Sequence, residues 1–176
     1  VVEIRPATAH DAMGVAEAHV RAWQVGYRGL ISQDHLDALR AEDRARRYGF
    51  ERMDLAGPFT QVAADGGTVC GHVTTGLSRD ADLAGAGEIW ALYVDPLRWG
   101  QGVGRRLLTA GCVRLALQGC GKAGLWVLSG NVRARRFYER AGWRFNGTER
   151  TDAIGADLVH EVRYERILDG SVPAER

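Results

Sequence analysis

The stretch Arg98-Trp99-Gly100-Gln101-Gly102-Val103-Gly104-Arg105-Arg106-Leu107-Leu108 places glycine at every second position between arginines, directly ahead of an apolar helical pattern. Glycines let backbone N–H groups approach an oxyanion, and a helix start adds unpaired donors and a favourable dipole. The chemistry on offer is anion binding, above all of phosphate. Two nucleotide loops can be tested by spacing. A P-loop ends in Gly-Lys-Ser/Thr, whereas Gly104 is followed by two arginines. A dinucleotide fingerprint needs Gly-x-Gly-x-x-Gly and an acidic residue about 20 positions on. Here position 105 is Arg and the next strand ends at Ser129. Neither matches. Arg98, Arg105 and Arg106 flank the loop, and Arg133, Arg135 and Arg136 lie on a later helix. Together they would complement a ligand with several phosphates, although a run of arginines is also an ordinary solvated face.

The elements that must hold this loop can be read from periodicity. Residues 1–5 read as a short strand, and a helix starts near Thr8, where Thr8 and Asp11 have capping-box spacing. Ala12, Ala16, Val20, Trp23 and Tyr27 recur on one helical face. Residues 31–50 continue as helix, with Ser32 as cap and Arg44, Arg46 and Arg47 on a solvated face. The period then changes. Residues 59–65 and 67–77 form two strands joined at Asp65-Gly66, a strong hairpin signal. A loop over 78–87 leads to a strand over 88–96 that Asp95-Pro96 ends. After the glycine loop, Val103, Leu107, Leu108, Cys112 and Leu115 share one side of a helix. A strand over 124–129, a helix over 132–141 capped by Asn131, and two last strands complete the chain. The expected fold is α/β: a mixed, mostly antiparallel sheet of about seven strands with helices on both faces, one domain over 1–176.

Bulk properties exclude several classes. The 176 residues suffice for one buried core without disulfides, and the net charge of +1 gives no general attraction to nucleic acid or anionic membrane. No apolar run approaches the roughly 18 residues of a membrane span. The first residues lack the basic and apolar blocks of a signal peptide. Three cysteines, Cys70, Cys112 and Cys120, form no Cys-x-x-Cys pair, and the odd count speaks for a reducing, cytoplasmic setting. Cys112 reads as a packing residue. No histidine or cysteine spacing suggests a metal.

The loop Gly100–Leu108 after a strand and Asp-Pro, followed by Asn131-Val-Arg-Ala-Arg-Arg-Phe-Tyr138-Glu-Arg-Ala-Gly-Trp-Arg-Phe145, resembles the GCN5-related N-acetyltransferases. Both family patterns, [QR]xxGx[GA] and Nxx(A)xxxYxxxGF, occur in order and in register. One departure stands at the loop's first position, which is Trp99 with the arginine displaced to Arg98. The resemblance implies acetyl-CoA as co-substrate, with no metal. It implies that backbone N–H groups of Gln101, Gly102, Val103, Gly104, Arg105 and Arg106 hold the pyrophosphate, with Trp99 and Gly100 also among the cofactor-binding residues. The edge of the strand at Leu92, Tyr93 and Val94 would pair with the pantetheine arm, which Asn131 and Tyr138 would also meet.

Acetyl transfer to an amine needs a neutral nucleophile, a stabilised oxyanion and a protonated leaving thiol. An alkylamine has a pKa near about 10.4 and a thiol near about 8.5, so both proton transfers gain from help at neutral pH. The resemblance implies Tyr138 as general acid and Glu88 as general base, or a water chain in its place, with attack directly on the thioester. The backbone N–H of Leu92 or Tyr93 would serve the oxyanion. Trp23 and Tyr27 are candidate substrate-binding residues, and aromatic walls suit an amine. The acceptor class stays open among a protein N-terminus or lysine, a polyamine, an aminoglycoside and an amino-acid-like metabolite. A CoA-binding sensor without turnover is the alternative, and a homodimer is left open.

Overall fold

The computed structural model describes residues 1–50 and 57–168. The expected span 1–176 thus includes two segments, 51–56 and 169–176, outside the described residues. Seven strands form one sheet: β1 (Glu3–Pro6), β2 (Phe59–Asp65), β3 (Thr68–Leu77), β4 (Gly87–Val94), β5 (Lys122–Leu128), β6 (Arg144–Ile154) and β7 (Asp157–Ile167). Their order is β1-β2-β3-β4-β5-β7-β6. Every neighbouring pair is antiparallel except β4–β5. The helices are α1 (Ala12–Gly26), α2 (Gln33–Ala38), α3 (Ala41–Ala45), α4 (Val103–Leu117) and α5 (Val132–Arg140).

Strand alternation sends successive side chains to opposite faces, and β3 shows both faces occupied. A Cβ on Gly71 would lie 3.1 Å from Leu107 of α4. The next residue, His72, stacks on His19 of α1. On the α4 face Val103, Leu107, Leu108, Cys112 and Leu115 are all buried, as their helical spacing requires. The three cysteines are free and buried, and burial pushes the Cys112 thiol up to about 11. At the first helix the capping-box reading acquires a mechanism. The Asp11 carboxylate accepts from the Thr8 backbone N–H at 2.7 Å and is held by Arg5 at 2.8 Å.

The continuous helix expected over 31–50 is divided. Leu39 and Arg40 take extended backbone between α2 and α3. The Arg40 guanidinium donates to the carbonyls of Asp37 and Leu39, a C-terminal cap that no glycine announces. Leu39 packs against the buried cluster of Ile31, Leu36, Leu128 and Val159, so tertiary contact overrides local propensity. Ser32 does not cap through its hydroxyl, but its backbone N–H donates to Asp157 at 2.9 Å. The expected solvated face over Arg44, Arg46 and Arg47 holds for the last two, which are exposed. Arg44 instead donates to the Tyr48 hydroxyl and lies 5.8 Å over the Trp23 ring.

Candidate active site

β4 and β5 are parallel but pair only at Gly87–Ala123 and Glu88–Gly124. Beyond Glu88 the strands part, and a cleft opens between them. It is lined by β4 from Glu88 to Val94, by β5 from Leu125 to Leu128, and by α1 and α5 side chains. Within β4 the pairing with β3 shifts: Thr74 faces Ala91 and Thr75 faces Ile89, which leaves Trp90 as an extra residue in the strand. Such a bulge bends a strand and redirects its groups, and bulges are common beside active sites.

The hydrogen-bond direction of each β4 residue can be worked out. Asp95 donates its N–H to Cys70 of β3, and an antiparallel strand alternates sides residue by residue. Tyr93 therefore turns its backbone polar groups to β3, while Leu92 and Val94 turn theirs to the cleft. The bond from the Trp99 indole N–H to the Val94 carbonyl, 2.8 Å, agrees with this. Of the two N–H groups expected to serve an oxyanion, that of Leu92 has the geometry.

The glycine loop sits at one end of the cleft. Gly100 and Gly102 have φ of +76° and +81°, a left-handed region that only glycine adopts without strain. Gly104 differs: it lies in α4, where a Cβ would make ordinary contact with Phe137 at 3.5 Å. Gly102 is the N-cap residue, and the Arg106 N–H already donates to its carbonyl at 3.1 Å. The free donors of the helix end are thus those of Val103, Gly104 and Arg105. The arginines separate in the same way. Arg98 pairs with Asp65 at 3.0 Å, Arg106 donates to the Val2 carbonyl, and Arg135 donates to Tyr164 and Ser129. Arg105 and Arg136 are exposed without an ion pair among the described residues, and Arg133 stacks 3.4 Å over the Trp99 ring.

Asn131 Oδ1 accepts from the Ala134 N–H at 3.1 Å and caps α5, which leaves its amide N–H groups to the cleft. Tyr138, one side of α5 further on, is buried with its ring edge-on to Phe137 and Trp143. Its hydroxyl has no protein partner among the described residues, and Tyr138 lines the cleft. Burial first, with Tyr93 adding, raises this phenol well above the usual range, so it stays protonated at neutral pH.

Trp23, Tyr27 and Tyr93 form an aromatic wall. Trp23 and Tyr27 rings lie 4.9 Å apart, and the Tyr27 and Tyr93 hydroxyls are 3.3 Å apart. Behind the wall stand two buried histidines, His19 and His72, with ring centroids 5.5 Å apart. Both His19 ring nitrogens and His72 Nδ1 lack a hydrogen-bond partner among the described residues. Burial holds both imidazoles neutral, pulling His72 down to about 3 and His19 well below its ordinary value, and Arg44 adds to both. The periodicity of the sequence contained no sign of this pair, since His19 and His72 meet only across the α1–β3 interface.

Glu88 is placed in the cleft wall, at the last rung before the strands part, with its side chain only 3% exposed. Arg79 holds it completely: its backbone N–H donates to Oε2 at 2.9 Å, and Nε and Nη2 donate to Oε1. Sequence reading missed a second carboxylate, Glu161 of β7, which lines the same cleft and accepts from Arg150 Nε at 2.6 Å. Only the fold brings it there, so no local signal could have found it. Among the described residues no group of three His, Cys, Asp or Glu is placed to hold a metal ion, and no helix is long and apolar enough to cross a membrane.

A parted parallel strand pair, a glycine loop that opens α4 and the buried Tyr138 make up the candidate site. Residues 20–143 match the model of the Acetyltransferase (GNAT) family. The chain belongs to the GNAT family. Among curated proteins it is similar to the mycothiol acetyltransferase of Propionibacterium freudenreichii, 33% identical over 86% of this chain and 47% of that protein. It is also similar to the N-acetyltransferase YuaI of Bacillus subtilis, 31% identical over 74% of each chain. The chain spans about half the length of that mycothiol acetyltransferase. The PaiA N-acetyltransferase of Thermoplasma acidophilum, solved with coenzyme A, shares this GNAT fold at a TM-score of 0.71 and 20% identity, covering 92% of this chain and 98% of its own. YncA of Salmonella typhimurium, solved with acetyl-CoA, gives 0.70 at 20% identity over 99% and 98%.

Proposed function

We propose that this GNAT chain is an N-acetyltransferase that moves an acetyl group from acetyl-CoA to a primary amine by direct attack. The observation that carries the reading is the open β4 edge, whose Leu92 and Val94 backbone groups run from the glycine loop past Tyr138. The residues present fit the co-substrate. The Val103, Gly104 and Arg105 N–H groups, with the Arg105 and Arg133 side chains, suit a pyrophosphate. The amide-bearing arm suits an unpaired strand edge. The thioester supplies the activated acyl group. Tyr138 holds a proton where the thiolate departs, and Leu92 N–H supports the oxyanion.

The acceptor enters beside the Trp23–Tyr27–Tyr93 wall, in a cleft whose lining also carries two carboxylates, Glu88 and Glu161. One of these takes the proton of the incoming ammonium. A small-molecule amine is the first class to test, given the likeness to mycothiol acetyltransferases and the walled cleft. The experiment is thiol release from acetyl-CoA with a panel of amines, beside thermal melts with acetyl-CoA, NAD and ATP. At about 100 times its Kd a ligand adds roughly 2.7 kcal/mol of stability. A large shift with acetyl-CoA and turnover with an amine support the enzyme. A shift without turnover across the panel makes the chain a CoA-binding sensor, and equal shifts with NAD overturn the assignment of the loop.

A further inference from the structure

Two carboxylates line the cleft, Glu88 beside the Gly124 rung and Glu161 opposite Leu128 further along β5, and their surroundings differ. An ionised carboxylate offers about four lone-pair directions on its two oxygens. Arg79 takes three of those of Glu88, from a backbone N–H and two guanidinium nitrogens. The Glu88 side chain is 3% exposed, and the Arg79 guanidinium lies 4.4 Å over the Trp90 ring, which fixes the clamp from its other side. One arginine thus neutralises one carboxylate, and the carboxylate is sealed into the wall while the arginine stays exposed.

Glu161 is held but not sealed. Its Oε2 accepts from Arg150 Nε at 2.6 Å, and Oε1 has no partner among the described residues. Its side chain is 14% exposed in a cleft wall, which is open enough to meet a ligand. Arg150 is itself shared, with Asp152 at 3.8 Å, so a single guanidinium faces two carboxylates and the cluster keeps a net negative charge. The Arg150 guanidinium lies 4.1 Å from the Trp126 ring centroid, which sets the position of the group that orients Glu161. From α1, the Tyr27 hydroxyl faces the same charge: Glu161 adds to the burial that keeps this phenol protonated. The cleft lining also carries the Tyr93 and Tyr138 phenols and the Arg133 guanidinium, which stacks on Trp99.

We infer that Glu161, rather than Glu88, is the carboxylate that meets the acceptor's ammonium and takes its proton. The inference rests on the acetyltransferase reading for the proton's destination, and on geometry alone for the charge that is recognised. In the reaction an ammonium N–H breaks and an O–H forms on Glu161 Oε1, which frees the nitrogen lone pair. The lone pair forms the N–C bond and the C–S bond breaks. The nitrogen loses a second proton, one proton is gained by the thiolate, and the proton on Glu161 returns to solvent. Glu88 then acts as a positioning residue, tying the Ser78–Asp80 segment through Arg79 to the last paired rung of β4.

The test uses the full chain with saturating CoA and titrates benzylamine against benzyl alcohol, read by tryptophan fluorescence. The two probes share a ring suited to the aromatic wall and differ in the ammonium. Wild type is expected to prefer benzylamine by at least tenfold at pH 7, Glu161→Gln to lose that preference, and Glu88→Gln to keep it with a lowered Tm. Glu161→Asp keeps the charge and is expected to keep the preference. With an amine substrate in hand, Glu161→Gln should lower kcat/KM at pH 7 by about 10²–10⁴, and the deficit should shrink at pH 10, where the free amine needs no base. Acetyl-CoA affinity should stay within twofold. An unaltered preference in Glu161→Gln, no preference in wild type, or an equal loss in Glu161→Asp would overturn the proposal. A chain that turns over no amine would refute the acetyltransferase reading, and the benzylamine titration would still decide the role of Glu161.

Discussion

The Trp99 indole N–H donates to the Val94 carbonyl at 2.8 Å, so the acceptor nearest the glycine loop on the open strand edge is already in use. Arg133 lies flat on the same ring at 3.4 Å, and Gly26 of α1 comes within 3.8 Å of its far edge through the position a Cβ would take. Trp99 thus closes the cleft at the point where a ligand's amide would pair with Val94.

A ligand that pairs with Val94 must first displace the indole. Trp99→Phe keeps the ring and removes the donor, and a hydrogen bond contributes about 0.5–1.5 kcal/mol net. Acetyl-CoA is therefore expected to bind Trp99→Phe roughly two- to tenfold more tightly, measured by calorimetry. An unchanged or weaker affinity would show that the bond to Val94 persists in the complex.

The glycines of the loop should separate by mechanism. Gly102→Ala places a side chain at φ +81° and should lower Tm with or without ligand. Gly104→Ala meets only ordinary contacts and improves helix propensity, so its Tm should hold or rise while acetyl-CoA affinity drops. Full affinity in Gly104→Ala would show that no phosphate approaches this backbone closely.

Tyr138→Phe retains the ring packed on Trp143 and deletes the hydroxyl. Turnover by thiol release should fall at least tenfold, because general acid help contributes about 10²–10⁴ in rate. Tm and acetyl-CoA affinity should barely move. Turnover near wild type would remove the hydroxyl from the mechanism.

Acid should destabilise the fold through the histidine pair. The folded value of His72 lies near 3, below its ordinary value of 6.5. The unfolded chain binds the proton first, so this stability is present above pH 6.5 and is lost as pH falls toward 3. The slope is up to about 1.4 kcal/mol per pH unit for each such histidine. His72→Leu should flatten the decline of Tm between pH 6.5 and 4. An equal slope in the variant would assign the acid loss to other groups.

Local chemistry made much of the fold legible. The turn signal after Asp65 marked the β2–β3 hairpin, whose turn is Gly66-Gly67, one residue beyond the expected Asp65-Gly66; Asn131 capped α5, and the apolar spacing from Val103 to Leu115 marked the buried side of α4. Those signals act within a few residues. The break at Leu39–Arg40 did not show, because it depends on guanidinium capping and on packing against the cluster of Ile31, Leu36, Leu128 and Val159. Nor could spacing separate the arginines: Arg98 and Arg106 serve the N-terminal part of the sheet, while Arg105 has no ion pair among the described residues. The Glu161 carboxylate, the Trp90 bulge and the His19–His72 stack arise from cross-strand register, which a single sequence does not display.

Among the described residues the two rungs at Gly87 and Glu88 are the only ladder that joins the β1–β4 half of the sheet to the β5–β7–β6 half. One buried core spans both halves, so it is the strand edges beyond these rungs that are free to open. Amide hydrogens of Leu92 and Val94 in the unliganded chain should then exchange by local opening, far faster than those of β3. A molecule seated along that gap acts as a strut as well as a reactant.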